Sequence, residues 1–180
     1  MDKLKAWWNN PLFRFVTYAF ILYISWFYVY DNWLHPLGNV DRWVIEQITT
    51  HSSILLDVLG FQLQPNDLYG DQYRIVGIND SVGVWIGDEC NGLTLFALFT
   101  GFVLAFPGPI KTKMWFIPVG IITIHLLNVL RVSALAIISK FSPESLDFNH
   151  TYTFTTIVYS YVFLLWYWWA NKLSSFGKKD

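Results

Sequence analysis

The sequence has little cysteine and little charge. Cys90 is its single cysteine in 180 residues, which excludes an internal disulfide and any zinc or iron–sulfur site built from several cysteines. Charged residues make up 14% of the chain, whereas an average soluble domain has roughly 25%. The net charge of -1 argues against nucleic acid as a partner. The cysteine chemistry left to this chain is that of one free thiol.

Apolar and aromatic side chains are abundant instead, at 54% and 19% of the residues. This composition is typical of a membrane protein, in which one crossing takes about 20 mostly apolar residues. The segments long and apolar enough for a crossing are approximately 12–30, 90–106, 114–138 and 151–170. We predict a single integral-membrane domain over 1–180, an all-α bundle of about four transmembrane helices. The first segment follows a basic start, but its length and aromatic bulk favour an uncleaved anchor over a signal peptide.

The distribution of charge predicts the orientation of this bundle. Basic residues cluster in segments 1–14, 107–113 and 171–180, as Lys3, Lys5, Arg14, Lys111, Lys113, Lys172, Lys178 and Lys179. Because short cytoplasmic segments are enriched in lysine and arginine, these three segments are predicted to face the cytoplasm. The charged residues of the segment 31–89 are mostly acidic, and its basic residues are Arg42 and Arg74. We therefore predict both termini in the cytoplasm and 31–89 outside.

Two patterns occur within the predicted external segment. Apolar residues recur at helical spacing over 40–61 among polar neighbours, which predicts an amphipathic helix on the outer surface or packed against the bundle. Over 72–86, β-branched and aromatic residues flank Asn79 and Asp80. This second pattern predicts a small external β-hairpin that caps the bundle.

Cys90 stands where polar chain gives way to an apolar segment, in GDECNGLTLF. Unpaired amides and the positive end of a helix dipole favour the thiolate there, and the thiolate is the nucleophilic form. Asp88 and Glu89 disfavour it, so an activated thiol needs a positive charge close by. The alternative is a packing role, because small residues let two helices approach closely. The small residues at helical spacing are Cys90, Thr94, Ala97 and Gly101.

Arg131 is the candidate for that positive charge, and it lies inside the segment 114–138. An arginine at membrane depth is costly unless it is paired or faces a hydrated cavity, so such residues are functional candidates. Asn128 lies three residues earlier on the same helix face, which predicts a polar stripe directed into the bundle. The alternative is a salt bridge from Arg131 to Asp88 or Glu89 that locks two helices together.

His150 precedes the segment 151–170, so the predicted topology places it on the same side as Cys90 and Arg131. Imidazole is the side chain best suited to move a proton near neutral pH. The alternative is an interfacial residue beside aromatic neighbours. The remaining histidines are interpreted as structural, and they are His35, His51 and His125.

At these positions the chain resembles the exosortase and archaeosortase family of integral-membrane cysteine transpeptidases. Its members have a cysteine that opens one span and precedes a glycine, an arginine after a polar residue in a later span, and a histidine at the outer start of the next span. The matching segments are ECNGL with Cys90 and Gly92, NVLRVSAL with Asn128 and Arg131, and NHTYTF with His150. The likeness covers 85–165, with Glu89 and Asn91 in place of the small residue and the serine common in the family.

The resemblance implies a compact form of this family in a prokaryotic cytoplasmic (inner) membrane, with its active site on the outer face. Cys90 would be the nucleophile, Arg131 the group that stabilises negative charge, and His150 the proton carrier. The supporting or substrate-binding residues would be Asp88, Glu89, Asn91, Gly92 and Asn128. The substrate would be a secreted protein with a C-terminal sorting signal, and the acceptor a lipid or glycolipid. The reaction requires no metal and no organic cofactor.

Two other functions remain open. One is a non-catalytic membrane assembly or transport subunit, in which Arg131 and an acidic residue form a structural pair. The other is a membrane hydrolase, which would use the same residues but release a free carboxylate.

Overall fold

The computed structural model describes residues 8–64 and 74–175, and helices dominate both ranges. The α-helices are α1 (Pro11–Val29), α2 (His35–Leu37), α3 (Asn39–Val58), α4 (Leu93–Ala105), α5 (Ile110–Phe141), α6 (Leu146–Phe148) and α7 (Phe154–Trp168). Segments of π-helix extend or join them at Tyr30–Leu34, Asn149–Thr153 and Trp169–Leu173, and 3-10 turns lie at Asp88–Cys90 and Pro143–Ser145. Two short antiparallel strands, β1 (Ile75–Val76) and β2 (Val84–Trp85), pair with Ile75 opposite Trp85 and Val76 opposite Val84.

Within residues 8–64 and 74–175, two helical stretches are long and apolar enough to cross a membrane. They are Pro11–Leu37, with 27 residues, and α5, with 32 residues. The α4 helix is shorter but apolar, and a rise of about 1.5 Å per residue makes α5 roughly 48 Å long. These helices and the apolar composition are those of an all-α membrane protein. The predicted count of about four crossings and the predicted orientation stay predictions.

The start of α4 differs from the predicted segment 90–106. The helix begins at Leu93, because Asp88–Cys90 form a 3-10 turn and Gly92 adopts a φ of 82°. Glycine reaches such positive φ values without the steric cost that a side chain brings. Cys90 therefore lies in a turn before the helix rather than in its first turn.

The α3 helix occupies most of the predicted amphipathic segment 40–61 and packs against α5. Its buried residues are Asp41, Val44, Ile45, Ile48, Ser52 and Leu56. The two strands lie inside the segment 72–86, of which 72–73 fall outside the described residues. The predicted orientation also depends on residues outside the described ranges, namely Lys3, Lys5, Lys178 and Lys179.

Most of the buried apolar residues in the described part of the chain form two clusters. The aliphatic cluster joins α3, the strand region and α5, through Val44, Ile45, Ile48, Leu56, Val76, Ile78, Ile86, Val132 and Ala136. The aromatic cluster joins α4, α5 and the last helix, through Phe99, Val103, Phe116, Ile124, Val162, Leu165 and Trp169. Cys90 packs at the edge of the aliphatic cluster, so that cluster supports the candidate site.

The aromatic cluster depends on a close approach of α4 and α5. The ring of Phe116 lies 5.7 Å from that of Phe99 and 5.2 Å from that of Trp169, centroid to centroid. A Cβ at Gly120 would overlap the Phe99 ring, so a glycine on α5 leaves the space that this ring fills. Packed rings of this kind hold helices in fixed relative positions, since interiors are close-packed.

Candidate active site

The backbone of Cys90 is held from two sides. Its amide donates to the carbonyl of Gly87 at 2.9 Å, and its carbonyl accepts from Asn128 Nδ2 at 3.0 Å. Asn128 is buried on α5, and a Cβ at Gly92 would lie 3.4 Å from its amide nitrogen. Gly92 thus permits the positive φ that ends the turn.

The Cys90 sulfur is half-buried and contacts two of the residues predicted to act with it. His150 Nε2 lies 3.5 Å from Sγ, and a terminal nitrogen of Arg131 lies 3.8 Å from the same atom. The three side chains come from the turn before α4, from α5 and from the π-helical segment before α7. The fold brings together a thiol, a guanidinium and an imidazole that are far apart in sequence.

Arg131 is directed at the sulfur and not at the carboxylates of the alternative interpretation. Among the described residues it forms no ion pair with Asp88 or Glu89: Asp88 binds Arg74, and Glu89 is exposed. The Arg131 Nε is buried and has no hydrogen-bond partner in the described part of the chain. A buried donor without a partner is costly.

His150 lies in the π-helical segment Asn149–Thr153, and its carbonyl accepts from Thr155 Oγ1 at 3.1 Å. Such π-helical insertions occur frequently at functional sites. Burial lowers the pKa of His150, the positive charge of Arg131 lowers it further, and the negative charge of Asp147 raises it. The neutral ring therefore predominates near pH 7, and a neutral imidazole can accept a proton from the thiol.

The charge of Asp88, two residues before the cysteine, is compensated by Arg74. The two side chains meet at 2.7 Å, and the same Arg74 nitrogen also donates to the carbonyl of Ile86 at 3.3 Å. The Arg74 guanidinium lies over the Trp85 ring at 5.5 Å, which fixes its position further. From the sequence, the Asp88 carboxylate is predicted to repel a thiolate at Cys90. The ion pair with Arg74 reduces that repulsion.

A second polar group, which the sequence does not predict, lies next to the turn Asp88–Cys90 and is centred on Asp41. This carboxylate is 1% exposed, and its Oδ1 accepts from Asn91 Nδ2 at 2.6 Å and from the Tyr30 hydroxyl at 2.9 Å. His35 Nδ1 lies 3.5 Å from the other Asp41 oxygen and 3.9 Å from an Asp88 oxygen. Asn91, one of the predicted supporting residues, thus connects Cys90 to the start of α3.

The sequence contains one signal that could have identified Asp41. It lies three and four residues before Val44 and Ile45, on the same stripe of α3 that is buried. An acidic residue on an apolar stripe needs a partner, since a buried charge is costly without hydrogen bonds. Nothing in the spacing indicates that the partner is Asn91.

The other two histidines form a pair of their own. His51 Nδ1 and His125 Nε2 lie 2.9 Å apart, between α3 and α5. In residues 8–64 and 74–175, no group of three histidine, cysteine or acidic side chains is arranged to hold a metal ion.

A model of the transmembrane exosortase family matches residues 6–169 of the chain. Comparison with curated proteins finds no match, and comparison with solved structures finds none. The matched range contains Cys90, Arg131 and His150 as well as Asp41 and its partners.

Proposed function

We propose that this chain, which belongs to the transmembrane exosortase family, is a membrane cysteine transpeptidase with Cys90 as its nucleophile. Family membership suggests a membrane transpeptidase, because exosortases are generally cysteine transpeptidases. The observation that carries the proposal is one sulfur in contact with an imidazole at 3.5 Å and a guanidinium at 3.8 Å. A nucleophile beside a base and a fixed cation is the arrangement that acyl transfer requires.

In the first half of the proposed reaction, His150 Nε2 accepts the thiol proton and Cys90 Sγ attacks the scissile carbonyl carbon. The carbonyl oxygen becomes an oxyanion, which Arg131 stabilises through its N–H groups. His150 then gives the proton to the leaving amine as the carbon–nitrogen bond breaks. A thioacyl-enzyme remains, and His150 is neutral again.

In the second half, His150 takes a proton from an acceptor amine or hydroxyl, which attacks the thioester carbon. Arg131 stabilises the second oxyanion, and the carbon–sulfur bond breaks when it collapses. The sulfur leaves as a thiolate and is protonated by His150, which restores the starting state. Asn128 and Gly92 serve this cycle by holding the turn, and exposed Glu89 suits a contact with a positive feature of the substrate.

The proposed substrate is a secreted protein whose C-terminal sorting signal is cut at the outer face of a prokaryotic inner membrane. The acceptor is a lipid or glycolipid of the surface, and both termini of the enzyme lie in the cytoplasm. The family match and the clustering of basic residues at the termini and in 107–113 support this assignment. A non-catalytic assembly or transport subunit remains the alternative, but the Arg131–acidic pair on which it depended is not among the described ion pairs.

The test is the Cys90→Ala variant, expressed with candidate secreted proteins. We expect uncleaved precursor to accumulate while the variant stays inserted in the membrane, because no other thiol is present. Thr94→Ala, one helical turn away, is the matched control and should process normally. Normal processing by Cys90→Ala would reject the covalent mechanism.

Mass analysis of the product separates transfer from hydrolysis. A transpeptidase leaves the new C-terminus joined to the acceptor, whereas a hydrolase leaves a free carboxylate. We expect the joined product, and a free carboxylate in every product molecule would change the assignment to a membrane hydrolase.

A further inference from the structure

We propose that Asp41 is a positioning residue. Through Asn91 it holds the turn Asp88–Cys90, which carries the proposed nucleophile. The inference rests on the proposed function, since a positioning residue needs a reacting thiol to position. It concerns a residue 49 positions before the cysteine in sequence, on a different helix.

The side chain of Asn91 ties two elements together beside the cysteine. Its Nδ2 donates to Asp41 Oδ1 at 2.6 Å, and its Oδ1 accepts from the amide of Leu93, the first residue of α4, at 2.8 Å. Asn91 is itself 1% exposed, so water does not compete for these bonds. The peptide that follows Cys90 is therefore fixed to the first turn of α3.

The Asp41 carboxylate is costly where it lies. It occupies the buried stripe of α3 with Val44 and Ile45, and replacing a buried charge by a well-packed apolar residue is often neutral or stabilising. Its hydrogen bonds come from Asn91 and Tyr30. Its second oxygen lies 3.5 Å from His35 Nδ1 and accepts no hydrogen bond from the described residues. The charge strengthens the bond to Asn91, because charge-assisted bonds are about twice as strong as neutral ones.

The turn carries the sulfur, so its position determines the contacts of the sulfur. Asn128 binds the Cys90 carbonyl from α5, while Asp41 holds the next side chain from α3. With both in place, Sγ reaches His150 and Arg131 together. Loss of the α3 contact frees one side of the turn, and a displacement of about 1 Å can cost on the order of 10²-fold in rate.

The test uses the single cysteine, because alkylation of the chain by iodoacetamide reports Cys90 alone. Asn91→Ser keeps an oxygen for the Leu93 amide but is too short to reach Asp41, and it adds no charge. The exchange variant, Asp41→Asn with Asn91→Asp, rebuilds the bond with donor and acceptor reversed. Its reference is Asp41→Ala with Asn91→Asp, which has the same carboxylate beside Cys90 but no donor at position 41. Glu46→Gln is the matched control, since it removes another α3 carboxylate, one that pairs with Arg42 on an exposed surface.

The alkylation rate is measured against pH for each intact variant, with the denatured protein as reference and thermal unfolding as a check of folding. We expect Asn91→Ser to lower the rate near pH 7 by about tenfold, toward that of the denatured chain, because a bond to a charged group is lost. The exchange variant should react faster than its reference with alanine at position 41, and Glu46→Gln should match the wild type.

A wild-type profile in Asn91→Ser would overturn the inference, and so would an exchange variant that reacts no faster than its reference with alanine at position 41. Neither result depends on substrate processing. Processing by Cys90→Ala would end the proposed function, whereas a wild-type alkylation profile in Asn91→Ser would end this inference alone.

Discussion

The aliphatic and aromatic clusters differ in the polar groups around them. The aromatic cluster packs Phe99, Phe116 and Trp169 against aliphatic neighbours of α5 and α7, and the buried indole nitrogen of Trp169 has no hydrogen-bond partner among the described residues. The aliphatic cluster includes the stripe of α3 on which Asp41 lies, and it adjoins buried Asn91. Buried polar groups require partners, so directional hydrogen bonds fix the positions of the elements around the aliphatic cluster. Close packing of side chains fixes those around the aromatic cluster. The candidate site lies in the region that is specified by bonds.

The α5 helix connects the two regions. Phe116 and Ile124 belong to the aromatic cluster, while Val132 and Ala136, further along the same helix, belong to the aliphatic one. Arg131 therefore stands on a helix whose earlier part is held by packed rings. In the same way, the packing of α7 in the aromatic cluster limits where its preceding segment can place His150.

Truncation of a buried side chain in the aromatic cluster should have the largest effect, and it should lower the free energy of unfolding. Trp169 is fully buried, and its truncation in Trp169→Ala should cost about 3–5 kcal/mol of unfolding free energy. Trp168→Ala is the matched control, since that neighbour is 49% exposed. Thermal unfolding in detergent measures both. Equal losses in the two variants would show that the aromatic cluster does not specify the helix positions.

Removal of the guanidinium should affect chemistry more than stability. Arg131→Gln is expected to lower processing by roughly 10²- to 10³-fold, because a donor to the developing oxyanion is lost. Lys140→Gln, which removes another cation from the same helix, should process at the wild-type rate. Rates of precursor cleavage measure the comparison. A rate in Arg131→Gln within a few fold of the wild type would remove Arg131 from the mechanism.

The smallest expected effect is a shift in the pH dependence of processing. In the proposed mechanism, activity requires a neutral His150 and is lost as pH falls through the pKa of this ring, which burial and Arg131 lower from its ordinary value and Asp147 raises. Asp147→Asn removes the negative charge that raises this pKa, so the acid limb should move to lower pH. Glu144→Gln, an exposed carboxylate nearby in sequence, should leave the limb in place. Movement of the limb to higher pH in Asp147→Asn would contradict the role of His150 as the base.

Much of the helical framework follows from the sequence. The predicted segments 12–30 and 114–138 correspond to α1 and to the central part of α5, because long apolar runs form helices in a bilayer. The start of α4 at Leu93 differs from the predicted start of that segment at residue 90. The reason is the positive φ of Gly92, which its place in the motif does not indicate. The predicted membership of the exosortase family is confirmed by the family match over residues 6–169.

What the sequence determined by itself is local or repeated: membrane composition, apolar periodicity, and the short motifs that carry the family resemblance. These properties depend on neighbouring residues and on average solvent preference, so they can be found without coordinates. Only the tertiary structure decided that Asp88 binds Arg74, that Arg131 points at the sulfur, and that Asp41 binds the residue after the cysteine. Such contacts depend on the distance and direction between side chains on separate elements, and these are set by how the helices pack.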